Sequence, residues 1–364
     1  MSQLQYYLAL VAGGLAAAAL VVSLAWPLDM AWLLRAFLVL GTVSLVRFRI
    51  PLGFWLDGAL ALLGAVAVLT GLGIFAPQPP FFWMALVAAW LFSWLFVERL
   101  ANAIASGAVS GRLFSLLIPT VFGLAILVVW EVVTRGANVP QVILPPPSMI
   151  WARIAASGGT LWADFQQTFL KAVLIGYALG CGFGFIVAIL IDRSPFLKAG
   201  LLPLGNFVSA LPIVGVAPIM VMWFGFDFQS KAAVVVIMTF FPMLVNTIAG
   251  LNAASAIEHD LMRTYAASYW QTLFKLRLPA AGPFIFNALK INSTLALIGA
   301  IVAEFFGTPI VGMGFRISTE VGRMNVDMVW AEIAVAAVAG SVFYGVIVLL
   351  ERGVTFWHPS VRGA

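Results

Sequence analysis

The chain has 364 residues, of which 63% are hydrophobic and only 9% are charged, and its mean hydropathy is +1.07. Soluble globular domains carry about 25% charged residues, so this composition excludes an ordinary soluble protein and predicts an all-α, polytopic helical membrane protein. The net charge of +5 does not indicate nucleic-acid binding, because the basic residues are scattered at the ends of apolar runs.

Apolar runs separated by polar residues, proline or glycine predict ten membrane spans, since crossing the hydrocarbon core takes about 20 apolar residues per helix. Lys and Arg are more frequent in the loops on the side of the N-terminus. This bias predicts a multi-pass protein of the cell inner (plasma) membrane with its N- and C-termini in the cytoplasm. The predicted spans cover residues 5–25, 31–46, 56–75, 81–97, 113–134, 168–191, 201–223, 231–251, 283–303 and 329–350.

The first four predicted spans are joined to the rest by the small-residue linker ERLANAIASGAVSGR. Polar residues in these four spans lie at their ends, so no chemistry is assigned to them. We therefore predict a domain of extra transmembrane helices with a linker over residues 1–110, followed by a six-helix core over residues 111–364.

Residues 252–282 separate two long apolar runs and carry several charges. Their spacing predicts a short amphipathic helix, an elbow of small residues at Ala266, Ala267 and Ser268, and a second helical piece. The pair Leu278–Pro279 is expected to break that second helix, because proline lacks an amide donor. Such a lever is suited to docking into a groove on another protein, but the spacing alone fits an ordinary solvated loop equally well.

The same segment resembles the "EAA" loop in permease subunits of binding-protein-dependent ABC importers. The family pattern is Glu-Ala-Ala, three residues, Gly, nine residues, Ile, any residue and Leu-Pro. At the corresponding positions this chain has Asp260, Leu261, Met262, Ala266, Leu276, Leu278 and Pro279. Over residues 113–358, the stretches ILPPPSMIW, PIVGVAPIMVMWFGFDFQSK, FPMLVNTIAGL and VAEFFGTPIVGMGF resemble the nitrate, sulfonate and taurine branch of these permeases, including members that move vitamin precursors.

The resemblance implies a type I (MetI-like) permease core with about four extra N-terminal transmembrane helices. It also implies that residues 252–282 couple the membrane helices to a separate ABC ATP-binding subunit. A periplasmic solute-binding protein and a second permease copy, as a homodimer, would complete the importer. The residues expected to dock on the ATPase are Asp260, Arg263, Tyr265, Ala266, Ala267, Ser268, Trp270, Lys275, Arg277, Leu278 and Pro279.

Polar residues inside the predicted spans are costly in lipid and therefore require an explanation. We predict that they line the translocation pathway, although interhelical hydrogen bonding is an equal alternative for any one of them. Glu304 ends a span, where it could pair with Arg316, gate the pathway or, as the more ordinary alternative, mark a solvated helix end. The pathway residues are Asn206, Ser209, Asn246, Asn287, Lys290, Thr294 and Glu304, of which Asn287, Lys290 and Thr294 share one helical face.

The sequence offers no phosphate loop of the form G-x-x-x-x-G-K-[ST], so ATP and Mg²⁺ would bind the partner ATPase subunits. The only two histidines, His259 and His358, are far apart and predict no metal site. Gly176, Gly180 and Gly184 recur every fourth residue, which favours close helix packing over a phosphate cradle.

We therefore interpret the chain as the permease subunit of an ATP-driven importer of a small polar or anionic solute, with no catalytic site. The alternatives are a secondary transporter driven by an ion gradient, for which Lys290 is the only in-span candidate, and an integral membrane enzyme. The enzyme would need a cluster of His, Asp or Glu, which the sequence does not show.

Overall fold

The computed structural model describes residues 2–26, 32–194, 196–197, 200, 203, 212–307 and 310–357. All regular secondary structure in these residues is helical, which confirms the predicted all-α class. The chain divides into two compact units, Met1–Trp151 and Ala152–Ala364.

The first unit packs its helices through alternating small and aromatic residues. Ala9, Ala12 and Ala16 are fully buried, and so are Phe37 and Phe92, whose rings meet edge to face. Small residues let helix backbones approach closely, and the aromatic rings fill the space left between them. The helices are α1 (Gln3–Ser23), α2 (Trp32–Val43), α3 (Phe54–Gly71), α4 (Pro80–Ala105) and α5 (Arg112–Gly136).

The boundary between the compact units lies later in the chain than the division predicted at residue 110. Val132 of α5 is buried in the same apolar cluster as the core residues of α1 to α4. A Cβ atom at Gly136 would lie 3.0 Å from the Trp83 ring, so the end of α5 also packs closely on α4. Packing therefore assigns α5 to the first unit, while a functional division near residue 110 stays a prediction.

In the part of the second unit that the structure describes, two helical segments are π-helix instead of α-helix. In a π-helix the backbone bonds run from i to i+5, and such turns are frequent at functional sites. The second unit contains most of α6 (Pro147–Ala156), then α7 (Gly158–Phe165), a π-helix (Gln166–Val173), α8 (Leu174–Asp192), α9 (Ile213–Phe224), α10 (Phe228–Leu251), α11 (Ala256–Thr264), α12 (Tyr269–Thr272), a π-helix (Leu273–Arg277), α13 (Leu278–Glu304), α14 (Met313–Gly322) and α15 (Val326–Val354).

The glycine face predicted on α8 packs against α10. A Cβ atom at Gly180 would lie 2.0 Å from the Thr239 hydroxyl, and one at Gly184 would lie 2.5 Å from the Phe240 carbonyl oxygen. Neither neighbour leaves room for a side chain, so the prediction that these glycines serve close packing is confirmed. Cys181, on the same helix, is buried and free of any disulfide.

Eight helical runs among the described residues are long and apolar enough to cross a membrane. Two predicted spans, 31–46 and 201–223, overlap α2 and α9, whose described parts have 12 residues each, while residues 31, 201, 202 and 204–211 lie outside the described residues. A 12-residue helix is about 18 Å long, which is less than the roughly 30 Å of a hydrocarbon core. The eight long runs are Gln3–Ser23, Phe54–Gly71, Pro80–Ala105, Arg112–Gly136, Gly158–Asp192, Phe228–Leu251, Tyr269–Glu304 and Val326–Val354.

Candidate functional site

Residues 252–277, which we call the hairpin loop, form two short helices that each begin with a capping box. The Ser255 hydroxyl accepts a hydrogen bond from the Glu258 amide, and the Glu258 carboxylate accepts one from the Ser255 amide at 2.7 Å. Ser268 and Gln271 repeat this arrangement at the start of α12. The hydrogen bonds from Ser255 hold the pKa of Glu258 below its usual value. Both helices therefore start where local sequence dictates.

The elbow between the two helices requires a left-handed backbone at Ala266. Its φ angle is +48°, and the amide of Ala267 bonds to the Met262 carbonyl oxygen across the turn. This conformation costs a residue with a Cβ atom about 1–2 kcal/mol, and glycine avoids the cost. It accounts for a glycine at this position in the family pattern given above.

The base of the hairpin loop is anchored to α8 by a buried ion pair. Arg277 donates two hydrogen bonds to the Asp192 carboxylate, at 2.6 and 2.7 Å, and a third to the Leu251 carbonyl oxygen. The Tyr269 hydroxyl donates to the same carboxylate at 3.0 Å. Beside this network, Leu273 is buried against Leu251. Arg277 therefore holds the loop in place, while its predicted contact with the ATPase stays a prediction.

The rest of the hairpin loop exposes large apolar side chains. No residue of α11 is buried, and Ile257, Leu261 and Tyr265 follow one another at four-residue intervals along one helical face. On the second helical piece, Trp270 and Phe274 are also exposed and stack on each other at 6.0 Å between ring centres. We call these five residues the apolar stripe. Exposed apolar groups arranged this way are typical of surfaces that bind another protein.

The expected helix break at Leu278–Pro279 is wrong. The run Tyr269–Glu304 is one helix of 36 residues that passes through the π-helix and continues into α13. Pro279 directly follows the π-helix Leu273–Arg277, so the helix continues through this position although proline supplies no amide donor there. The hairpin loop is thus joined to α13 by continuous helix.

At the far end of α13, Glu304 is buried with 2% of its surface exposed, so the solvated helix end is wrong. Its carboxylate accepts hydrogen bonds from the Thr168 hydroxyl and the Gly314 amide, both at 2.7 Å. Arg316 does not pair with Glu304 but with Asp164, at 2.9 Å. Asp164 and Thr168 also accept hydrogen bonds from the amides of Gly312 and Met313. We call Asp164, Thr168 and Glu304 the capping cluster, because together they bind the N-terminus of α14.

Comparison with known proteins assigns the family. Residues 180–356 match the model of the binding-protein-dependent transport system inner membrane component. A probable ABC transporter permease of Haemophilus influenzae is 31% identical over 228 residues, which are 62% of this chain and 92% of that protein. A formylaminopyrimidine transport permease of Halalkalibacterium halodurans is 30% identical over 249 residues, 68% of this chain and 99% of the relative. The chain belongs to the ABC importer permeases.

The same comparison extends to a putative aliphatic sulfonates transport permease of Bacillus subtilis, 30% identical over 256 residues, 70% of this chain and 90% of that protein. The predicted family, the permease fold and the importer function are therefore confirmed, and the secondary transporter is set aside. Membership in a binding-protein-dependent permease family of the inner membrane implies an ATPase and a solute-binding protein as partners.

In this permease, the described residues among those predicted to line the pathway have different surroundings. Asn287 and Thr294 are exposed on α13. Lys290 is paired with Glu351 of α15 at 2.9 Å, and Asn246 is half-buried and donates to the Pro242 carbonyl oxygen of its own helix. Glu304 lies in the capping cluster. Asn206 and Ser209 lie outside the residues that the structure describes.

Several residues that position the hairpin loop and α14 were missed by sequence reasoning. Asp192 and Asp164 lie at or near the ends of apolar runs, where a carboxylate looks solvated, yet both are buried. Glu332 of α15 is also fully buried. The signal that could have found them is the rarity of acidic residues in a chain this apolar, since each buried charge needs a partner.

Proposed function

We propose that the hairpin loop is the coupling element of the permease and that its apolar stripe docks on the ATP-binding subunit. The observation that carries this proposal is the combination of an exposed apolar stripe with a buried anchor at its base. An apolar stripe in water is stabilised by a partner protein, and a loop anchored by Arg277 and Asp192 can transmit the movement of that partner.

The charged residues around the stripe support the same role. Asp260 and Arg263 pair at 3.4 Å while both stay exposed, and Lys275 is exposed as well. Charges at the rim of an interface favour the correct partner and fix its orientation. Ala266, Ala267 and Ser268 keep the elbow slim, so that the partner can approach the backbone.

Co-purification with the ATPase tests this proposal. Leu261→Asp places a charge in the apolar stripe, and Val321→Asp on α14 is a matched control because the two side chains are 56% and 53% exposed. Loss of one central apolar contact costs an interface about 2 kcal/mol or more, so we expect roughly thirtyfold weaker ATPase association for Leu261→Asp. Val321→Asp should associate as the wild-type protein does. Equal association of both variants would rule out the coupling role.

We further propose that two copies of the permease enclose the pathway. Asn287 and Thr294 expose polar groups in the middle of a span, where contact with lipid is unfavourable. Thr294 also borders a groove of about 620 Å³ between α13, α14 and α15, together with Ser341 and Tyr344. A second copy placed against this face would give these polar groups a hydrated or protein environment, which supports the homodimer.

For the solute we propose a small polar or anionic compound, delivered by a periplasmic binding protein. The names of the relatives include a formylaminopyrimidine and aliphatic sulfonates, and both classes are small and polar. The hydroxyl and amide groups proposed to line the pathway can bind either class without selecting a charge. The chain itself carries no catalytic site in this proposal, and ATP and Mg²⁺ bind the partner subunits. The hairpin loop and both termini then lie in the cytoplasm.

A further inference from the structure

The N-terminus of α14 is bound by side chains from distant parts of the chain. The amides of Gly312, Met313 and Gly314 donate to Asp164 at 2.6 Å, to Thr168 at 2.8 Å and to Glu304 at 2.7 Å. The first amides of a helix have no partner within that helix, and a single neighbouring residue usually satisfies one of them. Here three consecutive amides are satisfied by α7, by the π-helix that follows it and by α13.

Glu304 connects these elements. One carboxylate oxygen accepts the Gly314 amide of α14, and the other accepts the Thr168 hydroxyl of the π-helix. Two carboxylates, those of Glu304 and Asp164, also complement the positive end of the α14 dipole. Both side chains are buried, so water does not weaken these bonds. Any movement of the end of α13 therefore changes the hydrogen bonds that hold α14.

Two glycines allow this close approach. A Cβ atom at position 312 would lie 2.8 Å from the Glu304 carboxyl group, and Gly312 has a φ angle of +142°. A Cβ atom at position 314 would lie 2.1 Å from the Ile301 carbonyl oxygen. Positions 312 and 314 thus carry no side chain where α14 meets the end of α13, and the backbone itself contacts the carboxylate.

The opposite end of the same helix is in the hairpin loop. The run Tyr269–Glu304 has 36 residues and is therefore about 50 Å long, enough to cross a membrane. The capping cluster and the apolar stripe consequently lie on opposite sides of the membrane and are joined by continuous helix. Exposed residues of α14, such as Ser318, lie on the side opposite to the hairpin loop.

We propose that Glu304, together with Thr168, is the positioning site through which α13 moves α14 when the ATPase changes state. This inference rests on the proposed coupling role of the hairpin loop. Thr168 transmits the movement by bridging Glu304 and the Met313 amide. The side of the permease that receives the solute thereby responds to the nucleotide on the other side.

Labelling of one cysteine in the permease–ATPase complex tests the inference. Ser318→Cys introduces an exposed thiol on α14, while the native Cys181 is buried. The rate of reaction with a membrane-impermeant maleimide is measured with and without MgATP and vanadate, which traps the ATPase after one turnover. Allosteric couplings amount to about fivefold or more, so we expect at least that change in rate in the Ser318→Cys protein.

Thr168→Val removes the bridging hydroxyl at nearly constant volume and should abolish the response, whereas Thr168→Ser should keep it. The amount of ADP trapped by vanadate shows whether the ATPase is still bound and active in each variant. Should a Thr168→Val complex that traps ADP normally respond as strongly as the Thr168→Ser complex, the inference is wrong. Absence of any response in the Ser318→Cys protein would overturn it as well.

Failure of the complex to form in the Ser318→Cys protein would instead contradict the proposed docking of the hairpin loop. Glu304→Gln supplies a second variant of the same site, since the amide keeps one acceptor oxygen and presents an NH₂ group in place of the other. We expect Glu304→Gln to lose most of the labelling response. Because the two residues act as one unit, the double variant with Thr168→Val should behave as Thr168→Val alone does.

Discussion

Replacement of Asp192 by asparagine removes the charge that anchors the hairpin loop. In the wild-type protein Arg277 donates to both carboxylate oxygens, and only 6% of the Asp192 side chain is exposed. Asparagine keeps the shape but presents one oxygen and one NH₂ group, so one Arg277 donor then faces another donor. A hydrogen bond to a charged group contributes about 1.5–3 kcal/mol, and breaking a buried pair costs about 3–5 kcal/mol. We expect the free energy of local opening to fall by about 3 kcal/mol.

Amide hydrogen exchange of the purified full-length permease measures this opening in peptides that cover residues 265–277. A loss of about 3 kcal/mol corresponds to roughly hundredfold faster exchange. Asp260→Asn is the matched control, because the pair of Asp260 with Arg263 is exposed and contributes about 0.2–1 kcal/mol. Exchange in the control should change by less than about fivefold. An Asp192→Asn protein that exchanges no faster than this control would refute the anchoring role.

Two further predictions concern helix packing and pH. Gly180→Ala should lower the stability of the permease by about 1–3 kcal/mol, since the new methyl group meets the Thr239 hydroxyl and the backbone of α10. Gly182→Ala is the control and should be neutral or stabilising, because a Cβ atom there has nothing within 4 Å. Thermal unfolding in detergent compares the two variants. Because the folded-state pKa of Glu258 is lowered, its contribution to α11 is present above the unfolded value of about 4.3 and is lost as the pH falls through the folded pKa. Protection factors of the α11 amides, corrected for intrinsic exchange, should therefore fall at low pH in the wild-type protein and stay constant in the Glu258→Gln protein. Protection in the wild-type protein that does not depend on pH would contradict this.

Hydropathy and short-range spacing predicted much of this permease. Each of the ten predicted spans corresponds at least in part to a helix, because a backbone in lipid must satisfy its hydrogen bonds within the segment. The elbow of the hairpin loop was predicted from small residues, and the glycine pattern of α8 from its four-residue period. These features depend on residues that are close in sequence, so local sequence patterns predict them.

The features that sequence reasoning missed depend on distant residues. Arg277 and Asp192 are 85 positions apart, and Gly312 and Asp164 are 148 positions apart. A carboxylate at the end of an apolar run gives no sign of whether water or a buried donor will meet it, so Glu304 was expected to be solvated. Pro279 was expected to end a helix, but the helix continues through it directly after the π-helix Leu273–Arg277, which the sequence did not predict.

The π-helix Leu273–Arg277 has a geometric consequence for how this protein can vary. Successive residues of a helix are rotated by about 100° around its axis, so shortening this segment by a single residue would turn everything before it by about that angle. The apolar stripe would then point sideways even though every side chain in it was kept. Substitutions in this short segment change side-chain contacts, but the number of residues in it determines the orientation of the whole hairpin loop about the helix axis.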